Sequence, residues 1–144
     1  MALEDFLPAL TNVLHQSVEG IQAAYTFDNL PAQLGAFPCF VVMPLRGSQD
    51  IGGANIALYD IQAVLYCSPA NLPEAYLYCV RSIDKVRRAI FSNIKLGGLV
   101  DRCVPAEGNW FEMGNVTSVY SDKVYIGVIY HLLIKETADI NAEA

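Results

Sequence analysis

The stretch Val124-Tyr-Ile-Gly-Val-Ile-Tyr-His-Leu-Leu-Ile134 is a β-type run that is apolar on both of its alternating faces. Side chains of a strand point alternately to two sides, so a strand with one face in water is polar at every second position. This run has no such polar face and meets charge only at Lys135 and Glu136. It therefore predicts a strand whose two faces are both covered, by helices or by a neighbouring subunit.

The composition of the chain points in the same direction. Its 144 residues are 53% hydrophobic and only 17% charged, whereas a typical soluble domain has about 25% charged residues. A chain of this length is expected to form one domain with a core of its own. We expect part of the apolar surplus to lie at contacts between subunits.

Several classes of protein are disfavoured by charge and hydropathy. The apolar runs are interrupted by Asp60, Arg81, Asp84 and His131, so no membrane span is expected. The first residues, Met-Ala-Leu-Glu-Asp-Phe, carry acid where a secretion signal carries base, which predicts synthesis in the cytoplasm without export. A net charge of −6 argues against nucleic-acid binding through phosphates.

The hydrophobic periodicity predicts the order of the elements. Helical spacing over residues 3–21 and 73–95 predicts two amphipathic helices, the second starting near Asn71 and stopping at Gly97-Gly98. Strands are predicted over residues 39–43, 55–67, 100–106, 110–113, 116–120 and 123–136, with a short extended piece at 23–27 and a polar loop at 46–53. The last strands are predicted to form an antiparallel meander.

This order is typical of an α+β domain, a mostly antiparallel sheet with two helices packed on one face. We assign residues 1–136 to the domain and residues 137–144 to a flexible C-terminal tail. The other sheet face would then have no helix above it. We expect another copy of the protein to cover that face, with candidate interface residues on the two long strands: Leu58, Asp60, Gln62, Tyr66, Tyr125 and His131.

A search for catalytic chemistry finds no pattern. The nucleophile elbow, dinucleotide fingerprint and P-loop motifs are absent, and neither His15 nor His131 has an acid nearby in sequence that would orient it. We interpret the scattered Cys39, Cys67, Cys79 and Cys103 as buried free thiols, because none has metal-ligand spacing. We therefore expect that the protein is not an enzyme and that it binds no metal or cofactor.

The layout of the chain nevertheless resembles a known family. A first helix leads to Ala36-Phe-Pro-Cys-Phe-Val-Val-Met-Pro44, and a long strand closes in Cys67-Ser-Pro-Ala-Asn-Leu-Pro73. A helix then ends in Asn93-Ile-Lys-Leu-Gly-Gly98, and the last strand is Tyr125-Ile-Gly-Val-Ile-Tyr-His-Leu-Leu-Ile-Lys-Glu136. Together these segments resemble the tail terminator, or tail completion, proteins of long-tailed bacteriophages.

The resemblance implies a structural virion protein of the neck region, assembled in the host cytoplasm. Such a subunit forms a homo-hexameric ring on the head-proximal end of the tail tube, ends tube polymerisation and joins the tail to head-completion or connector proteins. The genome would pass through the ring without specific binding. Candidate loop contacts to the tube, the lumen or the head side are Arg46, Asp50, Trp110, Asp122 and Lys123.

Two other classes stay open on the sequence alone. One is a small cytoplasmic ligand-binding α+β domain, for which Trp110, Phe111 and the tyrosines could form an aromatic pocket. The other is an enzyme whose site assembles only in space. A ligand-binding domain should be stabilised by a small molecule, whereas the stability of a ring should depend on protein concentration.

Overall fold

The computed structural model describes residues 3–30, 35–49, 56–68, 73–98, 100–117 and 123–137. Within these ranges two helices and six strands follow one another, with a 3₁₀ turn at Leu96–Gly98 before the last three strands. Their bounds are α1 Leu3–Ser17, β1 Ala23–Thr26, β2 Cys39–Gln49, β3 Ile56–Ser68, α2 Pro73–Ser92, β4 Arg102–Pro105, β5 Phe111–Thr117 and β6 Val124–Thr137. Of the predicted C-terminal tail, residues 137–144, Thr137 is the last residue of β6. Residues 138–144 lie outside the described residues.

The six strands form one sheet in the order β1-β2-β3-β6-β4, and β5 also pairs with β6. All pairs are antiparallel except β1 with β2. Both helices pack over one face of the sheet and share its main core. The prediction of an α+β domain with a mostly antiparallel sheet and two packed helices is confirmed.

The predicted meander is wrong in its details. Strands β4 and β5 do not pair with each other; they lie end to end along one edge of β6, against Leu132–Lys135 and Val124–Tyr130 respectively. The two strands predicted over residues 110–113 and 116–120 are one strand, β5, because Gly114 and Asn115 between them continue the ladder opposite Gly127 and Ile126. Strand β6 is long enough to pair with two short strands in succession.

The predicted loop at 46–53 is also wrong in its first part. Strand β2 continues to Gln49, and Arg46 pairs with Asp60 of β3 after a register shift between Pro44 and Arg46. Proline cannot donate to the ladder and is placed at bulges or edges for that reason. The polar residues beyond the bulge stay in the strand because β3 is long enough to pair with them.

Helix α2 ends at Ser92, and its buried face differs from the predicted one. The buried residues are Ala75, Cys79, Ser82, Val86, Ala89 and Ile90, whereas Tyr76 and Val80 are exposed. The buried set repeats every three or four residues and includes three small side chains, which allow the helix to lie close to the sheet. The helical spacing of apolar residues correctly predicted that Cys79, Val86 and Ile90 are buried, but it also predicted burial of Tyr76 and Val80, which face outward.

The sheet has a second core on the side away from the helices. Cys39, Val41, Val64, Tyr66 and Tyr125 belong to it, along with Val116. Leu30 and Phe37, from the connection between β1 and β2, pack against this cluster. The chain therefore covers one half of its own second sheet face, which we had expected another subunit to cover.

Among the described residues, no helix is long and apolar enough to span a membrane.

Candidate functional site

The other half of the second sheet face is not covered by the described part of the chain. Its residues come from neighbouring positions on β2, β3 and β6, where Met43 lies opposite Gln62 and Gln62 opposite His131. We call this surface the open sheet face and define it by Met43, Arg46, Leu58, Asp60, Gln62, His131 and Leu133. It mixes apolar side chains with charged ones, and Leu58 is 39% exposed.

A groove of about 480 Å³ runs along the edge of the open sheet face. Ala106, Glu107 and Asn109 line one side of it. They belong to the segment between β4 and β5, which interrupts the pairing with β6 opposite His131. The backbone N–H of Ala106 donates to the His131 carbonyl at 2.9 Å, and the His131 N–H donates to the Trp110 carbonyl at 2.8 Å. These two bonds hold this segment in place.

The charges at this surface are largely paired. Arg46 Nε donates to Asp60 Oδ2 at 2.8 Å, although the Arg46 side chain is 82% exposed. His131 Nε2 lies 3.1 Å from Glu112 Oε2 on β5. An exposed pair of this kind contributes no more than about 1 kcal/mol, so these pairs orient side chains more than they stabilise the fold.

Sequence reasoning missed the acid that faces His131. Glu112 is 19 residues away in the chain and reaches the histidine only because β5 and β6 are adjacent in the sheet. An oriented histidine is one part of a general acid–base site. The described residues lining the groove, however, include no Ser, Thr, Cys or Lys to act as a nucleophile.

A second surface lies on the helical layer of the domain. Leu77, Val80 and Phe91 are each about half exposed, at 48%, 53% and 51%. Positions 3 and 11 residues apart return to the same side of a helix, so these three side chains form a line. Asp84 and Arg87 lie between them and bind each other at 2.8 Å. We call this line the α2 stripe.

The residues predicted for a subunit interface divide into two groups. Leu58, Asp60, Gln62 and His131 all belong to the open sheet face. Tyr66 and Tyr125 belong instead to the second core. They are 0% and 6% exposed, and their ring centroids lie 5.3 Å apart. In this conformation those two tyrosines present almost no surface to a neighbouring subunit.

The residues predicted for contact loops are more scattered. Arg46 lies in β2, as described above, and Lys123 is exposed just before β6. Trp110 is half-buried, with ring centroids 5.3 Å from both Phe111 and Tyr130, so its ring serves mainly in packing. Asp50 and Asp122 lie outside the described residues.

The cysteines are buried and unpaired, as predicted. Burial raises the pKa of Cys39 to about 11 and the pKa of Cys103 to about 12, so both stay protonated near neutral pH. Cys67 and Cys79 differ because their sulfur atoms are in contact. Within the described ranges, no group of three or more His, Cys, Asp or Glu side chains is arranged to hold a metal ion.

Comparison with known proteins adds no relative to this description. No protein-family model matches the chain, and no curated protein sequence matches it. The two surfaces described above are therefore the structural basis for a functional proposal.

Proposed function

We propose that this protein is a structural virion protein that forms a hexameric ring on the head-proximal end of a bacteriophage tail tube. In that position it ends tube polymerisation and joins the tail to head-completion proteins. One observation carries the proposal beyond the sequence resemblance. The described domain has two unlike exposed surfaces on opposite layers, the open sheet face on one and the α2 stripe on the other.

A closed ring requires this arrangement of surfaces. Each subunit must contact one neighbour with one patch and the other neighbour with a different patch, because the contacts are heterologous. A stable interface buries about 800 Å² on each partner. Two such patches would take about a fifth of the 7891 Å² surface of this chain, which is compatible with its apolar composition.

The two surfaces differ in the charge at their rims. The exposed side of α2 carries Arg87 and Arg88, which share Asp84 as their ion-pair partner, so this group holds one more base than acid. On the open sheet face Asp60 is paired with Arg46, and the groove beside it carries Glu107. We therefore propose that the α2 stripe of one subunit docks on the open sheet face of the next, with apolar contacts at the centre and opposite charges at the rim.

The remaining partners follow from the same proposal. The ring would contact the tail tube on one side and a head-completion or connector protein on the other. A chain with net charge −6 would repel DNA that passes through the ring and would not bind it specifically. Among the described residues that were predicted to contact the tube, the lumen or the head side, Lys123 is exposed and lies outside both docking surfaces. It is therefore our candidate for such a contact.

The first test is the mass of the purified protein across a concentration series, measured by native mass spectrometry and light scattering. We expect a species of six times the 15.8 kDa of one chain, or a shift from monomer to hexamer as concentration rises. Negative-stain electron microscopy should show rings with an open centre. A monomer at every concentration would contradict assembly by the chain alone.

Two variants then test which surfaces meet. Val80→Asp alters the α2 stripe and Leu58→Asp alters the open sheet face, and both side chains are exposed, so each variant should fold. Each alone should remain monomeric, whereas an equimolar mixture should form a heterodimer, because each variant retains the surface that the other lacks. Phe27→Asp is the matched control, since Phe27 is 48% exposed but outside both surfaces, and it should assemble normally.

The groove supports a second candidate function, a ligand-binding domain. Arg46, Asp60, Asn109 and His131 line one open space and could bind a small polar molecule. Such a protein would stay monomeric and gain thermal stability from a compound in a small-molecule panel. Loss of that gain in Arg46→Ala, with assembly absent, would favour this function over the ring.

A further inference from the structure

Two buried cysteines are closer together than packing requires. The Sγ atoms of Cys67 and Cys79 lie 2.9 Å apart. A disulfide bond has a sulfur–sulfur length of about 2.05 Å, so a displacement of less than about 1 Å would bring the two atoms to bonding distance. Cys67 is at the end of β3 and Cys79 is in the first half of α2, so such a bond would join the sheet to the helix.

Contacts around the pair hold both elements in place. The Ser82 hydroxyl donates to the Cys79 carbonyl at 2.7 Å and lies 2.8 Å from the buried Tyr130 hydroxyl on β6. The contact between the Ser82 and Tyr130 hydroxyls therefore holds the turn of α2 that contains Cys79 against the sheet. On the other element, β3 pairs with β6 on both sides of Cys67, through Tyr66 and Ser68. The approach of the two sulfur atoms is therefore set by the packing of α2 on the sheet.

The two thiols are not chemically equivalent. The hydrogen bond between them lowers the pKa of Cys79 and raises the pKa of Cys67. Cys39 and Cys103 have no sulfur partner, and burial alone raises the pKa of each. Since the thiolate is the reactive form of cysteine, Cys79 rather than Cys67 is the partner in which this contact favours the thiolate.

We propose that Cys67 and Cys79 form a disulfide when the protein meets a peroxide oxidant. The Cys79 thiolate attacks one peroxide oxygen, the O–O bond breaks, and hydroxide leaves and takes up a proton to become water. The resulting sulfenic acid on Cys79 is attacked by the Cys67 sulfur, which loses its proton as the S–S bond forms and a second water leaves. Two thiols give up two electrons, and one peroxide becomes two waters.

The bond would close a short loop between β3 and α2 and fix the helix that carries the α2 stripe. Dithiols persist in a reducing cytoplasm and oxidise outside the cell. On the proposed virion function, the pair would therefore stay reduced during assembly and close after release of the particle. The reaction itself does not depend on ring formation, so its test and the assembly test can fail independently.

The test uses the full chain, purified reduced and treated with hydrogen peroxide. Thiol titration of the denatured protein should fall from four free thiols to two. Trypsin leaves both cysteines in one peptide because no Lys or Arg lies between residues 47 and 80, so a second cleavage after Glu74 is needed. Mass spectrometry should then show the Cys67 and Cys79 peptides joined by a bond that reductant breaks.

The oxidised protein should also unfold at a higher temperature, by about 5–10 °C, because a cross-link restricts the unfolded chain. Cys67→Ser and Cys79→Ser should abolish both the cross-linked peptide and the thermal shift. Cys103→Ala, which removes a buried thiol outside the pair, should retain both.

Three outcomes would overturn the proposal: four thiols remaining after peroxide, sulfinic acid at Cys79 without a cross-link, or a cross-link that involves Cys39 or Cys103. Peptide mapping of the peroxide-treated chain without substitutions decides among these outcomes, even where a serine variant does not fold.

Discussion

Replacing Gly127 with alanine should destabilise the protein severely, because β3 and β6 approach too closely at this position. A Cβ atom on Gly127 would lie 2.0 Å from the carbonyl oxygen of Leu65 and 3.2 Å from its carbonyl carbon. Both obstacles are backbone atoms, so no side chain can rotate away. Gly127 lies opposite Tyr66 where the register of β3 shifts, and such irregularities commonly require glycine.

The size of the effect follows from the displacement. Carbon and oxygen that are not bonded need a separation of at least 3.0 Å, so one strand must move by about 1 Å at the centre of the sheet. Overpacking a core costs about 1–3 kcal/mol, and each ladder hydrogen bond that is lost costs about 1 kcal/mol more. With two such bonds affected, we expect a loss of about 3–5 kcal/mol, a large part of the total stability of a small domain.

Urea unfolding followed by circular dichroism measures this loss, with the midpoint and slope fitted for each variant. Gly35→Ala is the matched control: a Cβ there meets nothing within 4 Å and no positive φ is required. It should be neutral or slightly stabilising, by less than about 1 kcal/mol. If Gly127→Ala lost less than 1 kcal/mol, the close approach of Leu65 to Gly127, and with it the register of β3 on β6, would be refuted.

Two further predictions concern buried polar groups. Stability should be full below pH 9 and fall as the pH rises toward 11, because the unfolded chain ionises its thiols first while burial raises the folded pKa of Cys39 from 9.0 to about 11. That shift corresponds to ~3 kcal/mol for this thiol, and urea unfolding at pH 8 to 10.5 should give a shallower decline in Cys39→Ala. Tyr130→Phe and Ser82→Ala should each cost about 1–3 kcal/mol, since each leaves one hydroxyl of the 2.8 Å contact without that partner. The double variant should cost less than the sum of the two, and a thermodynamic cycle that came out additive would show that the hydroxyls do not interact.

The sequence was sufficient for features that depend on local pattern. The 3.6-residue period predicted both helices. The strand predicted over residues 55–67 is β3, and its Ile61, Ala63 and Leu65 lie in the main core. The α+β class follows from the order of these elements. The run at 124–134 is a strand, as predicted, but its second face is covered by the described chain only near Tyr125; His131 and Leu133 lie on the open sheet face.

The features that sequence reasoning missed all depend on distant parts of the chain. Tyr66 and Tyr125 are enclosed by their own subunit because Phe37 folds across them, and no local pattern shows where a connecting segment will lie. His131 acquires Glu112 as a neighbour only through the pairing of β5 with β6.

Sequence by itself determined where both helices and most of each strand lie, because backbone propensity and hydrophobic periodicity act over a few residues. Pairing with distant strands decided the end of β2 and the continuity of β5. Tertiary structure alone decided which faces remain exposed and which side chains meet. The contact between Cys67 and Cys79 and the outward rotation of Val80 arise from how closely α2 can approach the sheet. That approach is set by the shapes of residues far apart in the chain, whose packing is a property of the whole core.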